Sequence, residues 1–187
     1  MKTNQKTRVL VECALMLALA TVLSKLEIPL WAQGGSITAC SMLPILLVSY
    51  RHGTKWGLLT ALVHSLLQMG MGFQNVLYCK TLTTQITCIL LDYLVAYTVL
   101  GLAAGIGRRF KKPSAQLVAG MGSVLVMRFL CSFTSGILLW GEYAPEGFPV
   151  WLYSLTYNGG YMSAELILTV GAALLLHRAA PALFEAQ

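Results

Sequence analysis

Apolar residues run along this chain in long blocks, and polar residues are gathered in short gaps between them. The pattern predicts six helices: Arg8 to Ser24, Ile37 to Tyr50, Lys55 to Gly70, Thr83 to Ile106, Ser114 to Trp140 and Leu152 to His177. The second is short. Pro29, Gly34–Gly35, His52–Gly53, Gly70–Met71–Gly72, Pro113 and Pro145 punctuate the gaps, as residues that break regular structure do. Several blocks reach the roughly 20 apolar residues that carry a helix across a bilayer. The expected fold class is therefore all-α: a polytopic membrane protein, one domain over residues 1–187, built as a bundle of six transmembrane helices.

Composition supports this reading. Hydrophobic residues make up 57% of the chain and charged residues 11%, against about 25% charged in a soluble domain. Mean hydropathy is +0.69. The first apolar run has a basic start, as a signal peptide has, but no small-residue cleavage site follows it, so it is read as a retained span. A net charge of +6 would suit a nucleic-acid partner, yet the basic residues are scattered over short gaps. Topology explains them better. Lys2, Lys6, Arg8, Arg51, Lys55, Arg108, Arg109, Lys111, Lys112 and Arg178 all fall on one side of a six-span bundle. Only Lys25 and Lys80 fall on the other, and Arg128 lies within a span. The positive-inside rule then places both termini in the cytoplasm, and the gaps 25–36, 71–82 and 141–151 outside.

The chemistry is densest between Arg128 and Glu165. Trp140, Tyr143, Trp151, Tyr153 and Tyr157 crowd around the gap from Gly141 to Pro149, and Asn158 and Glu165 follow on the last helix. Aromatic residues belong at membrane interfaces, which accounts for part of this set. The same set, beside an amide and carboxylates, can also hold a flat cationic ligand that forms hydrogen bonds. Asp92, Arg128 and Glu165 lie well inside spans. Each costs about 2.5–3.5 kcal/mol if left facing lipid, so each must face the bundle interior. Arg128 can form a structural charge pair with Glu165 or with Asp92. Two acids and one base leave one carboxylate over, and a cationic ligand would satisfy it. Gln85 and Asp92, like Asn158 and Glu165, stand seven residues apart on one helix face and suggest polar seams between helices.

Other signals are blander. Cys13, Cys40, Cys79, Cys88 and Cys131 contain no CxxC pair and read as small packing residues, with no metal site. There is no H-E-x-x-H, G-x-S-x-G, Walker A or G-x-G-x-x-G opening a helix, and His52, His64 and His177 are isolated. No enzymatic activity and no cofactor are expected. Ala14 and Ala18 form an A-x-x-x-A pair on the first helix, a spacing that lets another helix approach closely, whether a partner's or one of the bundle's own. Two alternatives stay open beside ligand capture: a membrane enzyme using Asp92 or Glu165 as a base, and a structural subunit without a ligand.

Four blocks in order carry a family resemblance: G-G-S-I-T-A-C-S-M-L-P at Gly34 to Pro44, L-D-Y-L-V-A-Y-T-V-L-G-L-A at Leu91 to Ala103, W-G-E-Y-A-P at Trp140 to Pro145, and Y-S-L-T-Y-N-G at Tyr153 to Gly159. With its six spans and short loops, the chain resembles the thiamine-specific substrate-binding (S) component of energy-coupling factor transporters, the ThiT family. The resemblance implies a multi-pass protein of the prokaryotic cell membrane that takes thiamine from outside. It implies delivery to a shared module of one transmembrane scaffold and two ATPases, which alone use ATP. Riboflavin or a thiamine precursor is the alternative ligand. The family's binding residues map onto Trp140 for ring stacking, Tyr153 and Asn158 for polar contacts, the pair Asp92–Tyr93, and Trp31 as a cover. Tyr78 and Ser132 complete the implied substrate-binding set, and Ala14 and Ala18 match the docking surface. Asp92 stands where family members carry glutamate, and Ser132 where they carry histidine, so ring recognition is expected to differ in detail.

Overall fold

The computed structural model describes residues 5–31 and 34–185. The chain enters as helix α1 (Gln5–Lys25), followed by an antiparallel hairpin of β1 (Glu27–Trp31) and β2 (Gly34–Thr38). Helix α2 (Leu43–Met71) comes next, then the short α3 (Phe73–Tyr78), and α4, a continuous helical segment over Leu82–Gly107. Helices α5 (Pro113–Leu138) and α6 (Val150–Ala179) complete the bundle. Single 3₁₀ turns follow α5 and α6 at Gly141–Tyr143 and Pro181–Leu183. The all-α membrane bundle stands, with one small hairpin added to it.

Proline and threonine set the helix starts. Pro44 and Pro113 occupy the first turn of α2 and α5, where a missing N–H breaks no intrahelical bond. Thr81 and Thr84 cap α4 reciprocally: Thr84 N donates to Thr81 Oγ1 at 3.2 Å and Thr81 N to Thr84 Oγ1 at 3.1 Å.

Two expectations about the second helix are corrected. It does not begin at Ile37, because Ile37 pairs with Ile28 across the hairpin and the helix starts only at Leu43, beside Pro44. Nor is there a loop between the second and third helices. They join in α2 through one residue, Gly53, at φ 82° and ψ 172°. A side chain strains that backbone conformation, so glycine is needed there. The gap 71–82 likewise holds α3.

The first half of α2 is the centre of the bundle. Leu43 to Tyr50 are all buried, as a helix surrounded by others must be. Its backbone comes close to α4 where Gly57 meets Gly101, and any β-carbon on Gly101 would strike the backbone of Leu58. Small residues at such crossings let helices touch. Ser49 Oγ donates to Gly101 O at 2.7 Å and accepts from Ala104 N at 3.1 Å, satisfying the 3₁₀ stretch Val99–Leu102 inside α4. At the same end Glu12 of α1 pairs with Arg51 and, at 3.2 Å, with His52, pinning α1 beside the Gly53 joint.

Among the described residues four helices, α1, α4, α5 and α6, are long and apolar enough to cross a membrane. Their outward faces carry Leu15, Leu90, Leu130 and Ile167, all exposed on the bundle. A water-soluble protein rarely shows so much apolar surface, and lipid covers it here.

Candidate functional site

Two stripes of side chains face each other from α5 and α6. On α5 they are Arg128, Ser132 and Gly136, with Trp140 just past its end; on α6 they are Ser154, Asn158, Tyr161 and Glu165. Spacings of three and four residues keep each stripe on one helix face. Between the stripes lies a cavity of about 530 Å³, within the range that holds small ligands. Asp92, Tyr93 and Tyr97 of α4 form a third wall, and Gln68 and Met71 of α2, with Gly72 just after it, a fourth. The hairpin covers one end with Glu27, Gly35, Ser36 and Thr38.

Asp92 reaches the cavity from an irregular turn. The stretch Ile89–Leu94 is π-helical, a local insertion frequent at functional sites. Trp140 Nε1 donates to Asp92 Oδ2 at 3.3 Å, and Cys88 Sγ does so at 3.5 Å. The carboxylate and the indole are thereby fixed relative to each other, giving one anionic and one aromatic surface in the same space. Tyr143 lies beside the indole with ring centroids 6.2 Å apart. Tyr153, Tyr157 and Tyr161 form a ladder with centroids 5.7 and 6.1 Å apart.

The structure brings most of the expected substrate-binding set together. Trp140, Asp92, Tyr93, Tyr153, Asn158, Ser132 and Tyr78 all line this one cavity. Their roles differ. Tyr78 sits at the rim and is mostly exposed. The Tyr93 hydroxyl is spent on the α2–α3 turn, donating to Gly72 O at 2.7 Å and accepting from Asn75 Nδ2 at 3.2 Å, so this residue offers its ring. Asn158 is buried; its Nδ2 donates to Ser154 O and Oγ at 3.1 Å, and its Oδ1 accepts from Tyr161 at 3.0 Å. Trp31 closes β1, but its side chain lies outside the described residues.

The expected structural charge pair is not formed. Among the described residues the ion pairs are Arg51–Glu12, His52–Glu12 and Lys80–Glu142. Arg128 instead lies 4.0 Å above the centre of the Tyr97 ring, a cation–π contact, and Nη1 touches the thioether of Met42 at 2.8 Å. Glu165 turns to the hairpin: its Oε1 accepts from Thr38 N at 2.5 Å and from Thr38 Oγ1 at 2.7 Å. Nor does Asp92 pair with Arg128, its partners being the indole and a thiol. Aromatic rings and backbone donors have taken the work that charge arithmetic gave to opposite charges.

Ala14 and Ala18 are far from the cavity, exposed on α1 between the exposed Leu15, Leu19 and Val22. Packing inside the bundle, one of the two uses their spacing allowed, is thereby excluded. Gln85 does not line the cavity either; it donates to Cys79 O at 3.1 Å. His64 is buried edge-on against Tyr97 with centroids 5.3 Å apart, a packing role. The described residues contain no metal-ligating cluster.

Sequence reasoning missed Thr38, Met42, Tyr97 and Tyr161 as wall residues. Tyr161 was within reach: Tyr153, Tyr157, Tyr161 and Glu165 recur every four residues, a helical stripe visible in the sequence. Thr38 left no such signal, since its partner is 127 positions away.

A bundle of apolar helices around a ligand-sized polar and aromatic chamber defines a multi-pass membrane protein with an internal cavity. Comparison with known proteins narrows the class. The family described as thiamine transporter protein (Thia_YuaJ) matches over residues 10–185, and the chain belongs to that family. It is 33% identical to the thiamine transporter ThiT of Bacillus subtilis (strain 168), over 95% of this chain and 94% of that protein. It is 34% identical to the thiamine transporter ThiT of Lacticaseibacillus paracasei over 52% of this chain and 53% of that one. The fold matches the solved structure of ThiT from Listeria monocytogenes with a TM-score of 0.77 at 23% identity, covering 98% of this chain and all of that one. The relatives are named for transport, not catalysis.

Proposed function

We propose that this chain is the substrate-capture subunit of a vitamin importer, binding thiamine from the outer side of the membrane. The hairpin end of the bundle faces outward, both termini are cytoplasmic, and the loaded subunit hands its ligand to a shared transmembrane scaffold driven by two ATPases.

The observation that carries this reading is the fixed pair of Trp140 and Asp92, 3.3 Å apart in a cavity of about 530 Å³. Thiamine joins an aminopyrimidine to a thiazolium cation. The first is a flat ring that stacks on an indole and donates hydrogen bonds to a carboxylate. The second is a cation that gains about 0.5–2 kcal/mol over a desolvated aromatic face, and the Tyr153–Tyr157–Tyr161 ladder supplies such faces. Family membership supports the same ligand. The ten basic residues that the sequence assigns to one side of a six-span bundle support the orientation.

The test is a titration of the purified chain in detergent with thiamine and no nucleotide. Tryptophan fluorescence is expected to quench as the ligand stacks on Trp140. A flat titration up to millimolar thiamine, in a sample shown to be folded, would overturn the reading.

A further inference from the structure

The cavity holds two polar groups that the arrangement around Asp92 and Trp140 does not use. Among the described residues Arg128 is met by no carboxylate: Nη1 meets the Met42 thioether, the guanidinium lies over Tyr97, and Nε is buried without a partner. Glu165 is 3% exposed and commits only Oε1, to Thr38, while Oε2 is buried without a donor. Buried polar groups in folded proteins nearly always find partners, so two orphans in one cavity wall point to something that fits between them. Ser132, Gly136, Asn158 and Tyr161 make the wall continuous from this pair to Trp140 and Asp92.

The chemistry of the orphans limits the occupant. A guanidinium N–H needs an acceptor, and a carboxylate oxygen needs a donor. A cationic group would face Arg128, and a phosphate ester would face Glu165 without a proton to give it. An alcohol offers both functions in one atom. We propose that Arg128 and Glu165 form a second subsite that receives the hydroxyl of the ligand and discriminates against its phosphate ester. This rests on reading the cavity as a thiamine site, since thiamine carries a primary alcohol at one end.

The test compares three ligands on the full-length purified chain by calorimetry: thiamine, its analogue with ethyl in place of hydroxyethyl, and thiamine monophosphate. Losing a hydrogen bond to a charged partner is expected to weaken the ethyl analogue about tenfold or more. In Arg128→Gln and Glu165→Gln that penalty should shrink to about twofold, and Glu165→Gln should narrow the gap between thiamine and its monophosphate. If Glu165→Gln does not fold, Arg128→Lys, which keeps the charge but not the planar donor set, reads the same difference. Equal affinity of the unaltered chain for thiamine and the ethyl analogue overturns this inference and leaves the thiamine site standing. An undiminished penalty in the variants overturns the assignment to these two residues. No binding of thiamine at all overturns the functional reading beneath it.

Discussion

Trp140 Nε1 donates to Asp92 Oδ2 across 3.3 Å, tying the end of α5 to the π turn of α4. Each residue holds the other where a ligand would meet both. Asp92→Asn keeps the shape and removes the charge. A hydrogen bond to a charged group contributes about 1.5–3 kcal/mol, so thiamine affinity should fall by roughly one to two orders of magnitude. Calorimetric titration reads this directly, and an unchanged dissociation constant would remove Asp92 from the site.

Trp140 is expected to be both stacking surface and reporter. Trp140→Phe keeps an aromatic face but loses the N–H to Asp92. Binding should weaken by about 1–2 kcal/mol, and the fluorescence quench should vanish. Quenching that survives the substitution would assign the signal to Trp31, Trp56 or Trp151 instead.

Ala14 and Ala18 are exposed on α1, one turn apart and remote from the cavity. Tryptophan at either position adds bulk to that outer face without crowding the core. Uptake by cells should fail, while thiamine binding by the isolated subunit should survive. Parallel uptake and binding assays on the same variants decide it: uptake as fast as in the unaltered protein would mean that no partner docks here.

Gly53 joins the two halves of α2 at φ 82°. Gly53→Ala meets no steric obstacle from neighbours, so its cost is confined to the backbone, about 1–3 kcal/mol. The thermal midpoint in detergent should fall by a few degrees. A midpoint equal to that of the unaltered protein would show that the joint relaxes to another conformation.

What the sequence revealed and what it hid follow from the range of the forces involved. The helical blocks were legible because bilayer-length apolar runs are local. Asp92, Trp140, Tyr153 and Asn158 were legible because polar and aromatic residues stand out in such runs and fall in family motifs. The hairpin was not: Pro29 and Gly34–Gly35 read as punctuation, and pairing of Ile28 with Ile37 has no periodic signature at this length. The charge pair failed for a different reason. Counting charges assumes that only opposite charges satisfy them, whereas Arg128 meets a ring and a thioether and Glu165 meets Thr38.

The Thr38–Glu165 contact spans 127 positions of sequence. During synthesis the hairpin emerges well before α6, since chains are made from the N-terminus. The hairpin therefore waits for its anchor while most of the bundle is already in the membrane. A chain stalled or clipped before Glu165 can have five helices in place and still have an unroofed chamber. Closure of the cavity is thus timed by synthesis of α6, because the threonine that roofs the chamber must wait for a carboxylate 127 positions later.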